Sequence, residues 1–308
     1  KALTDRDVEA LRALGRKSVY VAELEPGDVD ENRAAERIAA AALGAGLRLT
    51  GASTGRVNAI ATVLGVFRVE TARLSTLNAA EGITVASLGA HSAVRTGQTV
   101  ATFKVIPYAV PEAEVARGEA IAREGGPLLW VDALSRRRVG LVLSGSPSVR
   151  TQLEESFSPL VERVEALGSS VVDRQYVTLE DERGEEALAE TLHRDREAGI
   201  ELILLAGETA IMDRHDITPR AVERAGGSVV SVGAPVDPGN LLMLAYLDGV
   251  PVLGAPGCAR SRKTNVVDWV LPRLLAGDRL TREDIVALGA GGLLEDVPER
   301  PVPRSRIG

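Results

Sequence analysis

Residues 200–219 read Ile200-Glu201-Leu202-Ile203-Leu204-Leu205-Ala206-Gly207-Glu208-Thr209-Ala210-Ile211-Met212-Asp213-Arg214-His215-Asp216-Ile217-Thr218-Pro219. The apolar run at its start is that of a strand buried on both faces. It ends in a glycine loop, passes through a polar stretch and meets Pro219 in the first turn of a helix. The pattern repeats on either side. Upstream, Val139-Gly140-Leu141-Val142-Leu143 predicts a buried strand, followed by a helix over 151–167, a strand over 170–177 and a charged helix over 182–198. Downstream come a helix at 219–225, strands at 229–232, 241–246 and 250–253, and helices at 262–275 and 281–288. Strands alternating with helices of this length predict an α/β fold: a doubly wound, mostly parallel sheet with helices on both faces. In such sheets ligands sit beyond the carboxyl ends of strands, which points to the loops after residues 143, 205 and 253.

The first third of the chain reads differently. Thr4 caps a short helix, with Asp7 standing where a capping box carries Glu. Residues 17–22 predict a strand. Acids at 28–31 open an Ala-rich helix reaching Leu43, which Gly44-Ala45-Gly46 ends. A small-residue loop at 49–58 precedes a helical pattern at 59–64, and strands follow at 83–86 and 100–106. At 308 residues the chain exceeds one ordinary hydrophobic core. The expected division is an N-terminal α+β domain (1–111), a helical connector (112–137), the α/β domain (138–290) and a tail (291–308).

Composition excludes several classes. One Cys among 308 residues leaves no disulfide framework or Cys-based metal cluster, and three His are scattered. A net charge of −7 with 3% aromatics is a poor match to a nucleic-acid binder. No apolar run approaches the roughly 20 residues of a membrane span, and no secretory pattern opens the chain, so the cytoplasm is the expected location. The charge is uneven: residues 258–282 hold six basic and two acidic residues, whereas 153–201 hold five and fourteen.

Three loops carry candidate chemistry. In Gly207-Glu208-Thr209 the backbone can cradle an anion, while Thr209, Asp213 and Asp216 can orient a ligand hydroxyl, ring nitrogen or metal. The plainer alternative is a strand–helix connection with Asp216 or Thr218 as N-cap. Pro238-Gly239-Asn240 is a turn between strands. Gly254-Ala255-Pro256-Gly257-Cys258-Ala259-Arg260-Ser261-Arg262-Lys263 leaves a buried strand and opens a helix, where three cations in four residues suit phosphate or pyrophosphate. Cys258, beside Arg260 at a helix start where a thiol pKa tends to fall, reads as a nucleophile or as a buried packing residue; a lone Cys with no His placed to serve it is more often the latter. His215 is either a ligand contact or an exposed loop residue. Ser53-Thr54-Gly55-Arg56 reads as an N-cap with a surface arginine or as a second anion site. There is no Walker loop, dinucleotide fingerprint or Gly-x-Ser-x-Gly elbow.

Taken in this order, the loops resemble the molybdopterin-binding domain of molybdenum-cofactor biosynthesis proteins, a superfamily that includes molybdopterin adenylyltransferase and molybdenumtransferase. The resemblance covers about residues 138–276. Gly207-Glu208-Thr209-Ala210 stands where those families carry Gly-Gly-Thr-Gly, and Asp216-Ile217-Thr218-Pro219 matches their Asp-x-Thr-Pro. Pro238-Gly239-Asn240 is similar to the transferase's Pro-Gly-Lys-Pro turn, and Ala255-Pro256-Gly257-Cys258 to its Leu-Pro-Gly-Asn-Pro turn. The whole chain resembles more closely still a molybdopterin-binding branch, some of whose members carry this module beside a cofactor cytidylyltransferase domain, marked here by Asp213-Arg214-His215-Asp216, Val236-Asp237-Pro238-Gly239-Asn240 and Gly254-Ala255-Pro256-Gly257-Cys258-Ala259-Arg260-Ser261. Three departures stand out: Glu208 replaces the second loop glycine, Ala210 stands at the fourth small position, and Asn240 replaces the turn lysine.

The resemblance implies a protein that binds molybdopterin, the molybdenum cofactor or its nucleotide form. Arg260, Arg262 and Lys263 would hold phosphate, with Gly207, Glu208, Thr209 and Asp213 at the pterin or metal-bearing end. Pro238, Gly239, Asn240, Pro256, Gly257, Cys258 and Ser261 would complete the binding set. As an enzyme it would be a nucleotidyl- or molybdenum-transferase using Mg²⁺ held by Asp213 or Asp216; otherwise it is a carrier or insertion chaperone. A relative of nucleotide-amide hydrolases is a third reading. A homo-oligomer is expected, with a molybdoenzyme or a cytidylyltransferase as partner.

Overall fold

The computed structural model describes residues 3–179 and 183–294. In chain order the first part holds α1 (Asp5–Ala13), β1 (Asp28–Asp30), α2 (Glu31–Ala42), β2 (Leu47–Leu49), β3 (Arg56–Ala61), β4 (Gly65–Val69), α3 (Thr71–Asn78), β5 (Ile83–Ser87), β6 (Ala93–Val94), β7 (Thr99–Val105), β8 (Ala109–Pro111), α4 (Glu112–Arg123) and β9 (Leu129–Ala133). Its strands form sheets ordered β2-β3-β7-β5, β6-β4-β9 and β1-β8. Asp30 caps α2 by accepting from the Asn32 and Arg33 amides, both at 3.1 Å. The Ala34–Ala35–Ile38–Ala42 face of α2 is buried in the core these sheets enclose. The expected connector supplies α4 and β9 to this same core through Val115, Ala122, Leu129 and Val131.

Two local expectations are corrected here. Residues 59–64 are not helical: β3 lies between β2 and β7, and Val57, Ala59 and Ala61 alternate into the core. Neighbouring strands on both sides override alanine's helix preference. Residues 17–22 form no strand; Val19, Tyr20 and Val21 are exposed, because strand-forming side chains gain nothing without a pairing edge. The Thr4 capping box, in contrast, is closed in both directions with Asp7.

The second part holds β10 (Arg138–Gly145), α5 (Arg150–Ser156), α6 (Ser158–Ala166), β11 (Ser170–Thr178), α7 (Arg183–Glu197), β12 (Leu202–Gly207), α8 (Ile217–Arg224), β13 (Ser228–Val232), β14 (Met243–Leu247), β15 (Val250–Gly254), α9 (Val267–Ala276) and α10 (Arg282–Ala287). One six-stranded sheet runs β11-β10-β12-β15-β14-β13. β11, β10, β12 and β15 are mutually parallel, and β14 runs against both its neighbours. The doubly wound α/β architecture expected from the sequence is present.

Side-chain alternation assigns the faces. Leu141, Leu143, Leu202, Leu204 and Leu253 pack with Phe157, Leu160, Val270 and Leu274 of α6 and α9 and their approaches. Val142, Ile203, Leu205 and Val252 pack oppositely against Leu188 and Leu192 of α7 and Val222 of α8. Period-2 alternation within wholly apolar strands is what lets one sheet feed two cores.

A charged cluster joins the two parts. Arg68 on β4 donates to Asp132 (2.7 Å), Asp278 (2.6 and 2.9 Å) and the His91 ring (2.6 Å). Arg273 on α9 reaches the same Asp278 at 3.0 Å and Asp284 at 2.9 Å. Both arginine side chains are about nine-tenths buried. Of the expected tail, Leu294 pairs its amide with the Asp237 carbonyl, and residues 295–308 lie outside the described residues. Among the described residues no helix is long and apolar enough to cross a membrane.

Candidate functional site

The carboxyl ends of β10, β12 and β15 lie along one edge of the sheet, as does the 233–242 link between β13 and β14. After β10 the chain turns onto the face covered by α6; after β12 it turns onto the opposite face, covered by α8. The crevice between these two strand ends is therefore the topological switch point, where α/β sheets take ligands. All three loops singled out in the sequence reach this edge.

A cleft of about 340 Å³ opens beside β12. Ser144, Gly207, Thr209, Asp216 and Thr218 supply its polar lining, with Ile211 and Met212 among its apolar walls. The Asp216 carboxylate accepts from the Met212 amide (2.5 Å) and the Asp213 amide (3.1 Å), and Asp213 accepts from the His215 amide (2.5 Å). Both carboxylates thus close the loop that carries them. Asp216 is the N-cap residue of α8, although its side chain turns back rather than capping. His215 is exposed. Among the described residues no group of three or more His, Cys, Asp or Glu could hold a metal ion. The Asp213 and Asp216 carboxylates both accept from backbone amides of their own loop, with which a Mg²⁺ ion held there would compete.

The basic loop differs from expectation in its backbone. Gly257–Arg260 is one tight turn, and α9 begins only at Val267, so the cations precede the helix instead of opening it. Each has its own neighbours. Arg260 lies 4.8 Å above the Phe157 ring and donates to the Gly207 carbonyl at 2.8 Å, tying the basic loop to the glycine loop. Arg262 pairs with Glu162 at 2.5 and 2.8 Å, which raises the arginine's pKa and lowers the carboxyl's. Ser261 accepts from the Lys263 amide. The Cys258 thiol follows the second of its two readings: burial pushes it up to about 11, so it is the opposite of an activated nucleophile.

Pro238-Gly239-Asn240 supports this loop from below. Gly239 has φ +137°, and a Cβ there would lie 2.4 Å from the Val266 side chain. Its close approach is to Val266, not to open space, while the Asn240 side chain is exposed. Gly257 is the converse: a Cβ would meet nothing within 4 Å among the described residues.

Sequence reasoning missed several residues that shape the site. Arg163 on α6 holds the carbonyls of Ala259 (3.4 Å) and Lys263 (2.9 Å) and the Asp268 carboxylate (2.8 Å). Asn265, 1% exposed, donates to the Lys263 carbonyl and accepts from the Val267 amide. At the end of β10, the Ser146 amide donates to Glu208 at 2.8 Å and the Ser146 carbonyl accepts from Tyr176 at 2.6 Å. An arginine within the apolar stripe Leu160–Val161–Val164 was the one available signal for Arg163.

Neither a protein-family model nor a curated protein matches the sequence. Among solved structures, the chain is similar to the molybdopterin biosynthesis moea protein of Pyrococcus horikosii, with 16% identity over 80% of this chain and 79% of that one and a TM-score of 0.33. It is similar to a molybdenum cofactor biosynthesis protein B (15% identity, 47% of this chain, 89% of that one, TM-score 0.29). It is also similar to the molybdopterin biosynthesis Mog protein of Mycobacterium ulcerans (16% identity, 44% and 92%, TM-score 0.30). These structural neighbours of the chain are proteins of molybdenum-cofactor biosynthesis.

Proposed function

We propose that this protein binds molybdopterin, or a molybdenum-loaded or nucleotide form of it, along the carboxyl edge of the six-stranded sheet. The carrying observation is the Arg260 bond to the Gly207 carbonyl, which joins a cation-rich loop to the glycine loop of the cleft. In this reading the phosphate lies against Arg260 and Lys263, near the open backbone of Gly257. The hydrogen-bonding end of the pterin faces Thr209 and Asp216. Binding as a homo-oligomer, in the cytoplasm, with delivery to a molybdoenzyme or a cytidylyltransferase partner, extends the same proposal.

The Glu208 carboxylate favours a carrier over a nucleotidyl transferase. It occupies the amide at the switch point and would repel a second phosphate there. Product formed from molybdopterin, nucleotide and Mg²⁺ by the purified protein would decide for the transferase.

Titration of the purified protein with molybdopterin is expected to saturate, and Arg260→Ala to weaken that binding at least tenfold, which is about 1.4 kcal/mol. No binding by the unaltered protein removes the proposal; equal binding by the variant removes Arg260 from it. Gly257→Ala gives an independent check. With open space around its Cβ, it is expected to leave stability within about 0.5 kcal/mol of the parent, while weakening molybdopterin binding by obstructing the backbone. Unchanged affinity would show that no ligand atom approaches this glycine.

A further inference from the structure

Glu208 sits in a seat built for it. Its Oε2 accepts from the Ser146 amide at 2.8 Å, and its own amide donates to the Ser144 carbonyl at 2.8 Å. The seat exists because residue 145 is glycine: a Cβ there would lie 2.9 Å from the Glu208 Cβ, 3.0 Å from its Oε2 and 3.1 Å from the Tyr176 hydroxyl. Gly207 is equally constrained, since a Cβ would stand 2.9 Å from the Ser144 Oγ. Tyr176 closes the seat from β11 by donating to the Ser146 carbonyl. The Glu208 carboxylate, on an exposed residue, is thus held at the mouth of the switch-point crevice and takes a backbone donor that an incoming anion would otherwise use.

Building on the proposed ligand, we infer that Glu208 is a specificity-determining residue that excludes phosphate from the β10–β12 crevice and so fixes which way round the ligand lies. The crevice presents an acceptor and a negative charge, so it takes the N–H-bearing end of a ligand. The anionic end is left to the loop around Arg260, on the other side of Gly207. Two opposite charges flanking one glycine loop make the site polar along its length, and a dipolar ligand enters it in one orientation.

Inorganic pyrophosphate is the probe, titrated into the full chain carrying Arg260→Ala, so that the basic loop does not mask the crevice. Binding is followed by calorimetry and by the backbone amide resonance of Ser146. Adding Glu208→Gln, which keeps the side chain's shape and removes its charge, or Glu208→Ala, which also frees the amide, is expected to raise pyrophosphate affinity at least tenfold and to move the Ser146 resonance on binding. Should the alanine variant fold poorly, the glutamine variant reads the charge effect alone. The inference is overturned if neither variant gains affinity, if the gain leaves Ser146 unmoved, or if the Arg260→Ala chain with Glu208 intact binds as tightly. A parallel molybdopterin titration of the unaltered protein separates the two ideas: its failure removes the ligand, while the pyrophosphate comparison still reports on Glu208.

Discussion

Replacing Asp278 with Asn is expected to lower the free energy of unfolding by about 3 kcal/mol, measured by denaturant titration at pH 7. Asp278 is shared by two arginines, Arg68 and Arg273, whose side chains are only 9% and 10% exposed. Burial alone would raise its pKa, but hydrogen bonds from Arg68 and Arg273 outweigh that and hold it below the usual carboxylate value. An Asn there leaves the two guanidinium groups sharing one neutral acceptor, with Asp132 beside Arg68 and Asp284 beside Arg273 as the remaining carboxylates among the described residues, and removing one member of a buried ionic group costs far more than the group's net worth. Because the pKa is depressed in the fold, the stabilisation is present above the ordinary carboxylate range and is lost as pH falls through the folded value. The variant's stability should therefore vary less with acid than the parent's. Burial and the positive charges of Arg273 and Arg68 also lower the His91 pKa, so acid adds a second opposing charge at the same junction. A loss below about 1 kcal/mol would mean the cluster behaves as an exposed pair and does not brace the two parts.

Asp195→Asn is expected to act in the opposite direction, with a gain of about 3 kcal/mol at pH 7 and above. Asp195 on α7 is 1% exposed and packs over Gly140 of β10, where a Cβ would lie 2.7 Å from its Oδ2. Among the described residues that oxygen has no hydrogen-bond partner; the other accepts from Gln175 at 2.6 Å, which also donates to Asp173 at 2.8 Å. Burial, followed by the nearby Asp173 charge, pushes the Asp195 carboxyl up to about 6, against a partial opposing effect from Arg194. A raised folded pKa means that stability is greatest below the ordinary carboxyl value near 4 and declines as pH rises through about 6. The Asn side chain cannot ionise, so its advantage should grow between pH 4 and 6 and stay level above. Denaturation curves at pH 4.5 and 7.5 test this, and an equal difference between the two proteins at both values would refute it.

The site was legible in the sequence as three loops but not as a set of contacts. Gly207, Thr209 and Asp216 do share a cleft. The cation run was visible too, yet the sequence offers no way to see that Arg262 pairs with Glu162 while Arg260 rests on Phe157. Arg163 and Asn265 hold the loop by bonding its carbonyls, and backbone acceptors leave no trace in residue identity. The choice between the two readings of Cys258 was open for a related reason. The thiol's pKa depends on burial and on where α9 begins, and the helix starts nine residues later than the cysteine.

The apolar runs at 139–143 and 202–205 by themselves determined the buried parallel strands, because alternate residues of such a run must cover two faces and only a sheet with helices on both sides hides them. The run at 17–22 and the alanines at 59–61 show the limit: whether a strand forms depends on an edge being present, which a local pattern does not encode. Strand order likewise belongs to the tertiary structure. It alone brings Glu208 to Ser146 across 62 residues and Arg260 to Gly207 across 53. Those two contacts form between loops that adjoin only after β10, β12 and β15 have paired, so the placing of Glu208 and Arg260 on either side of Gly207 is decided by folding and not by any segment of the chain.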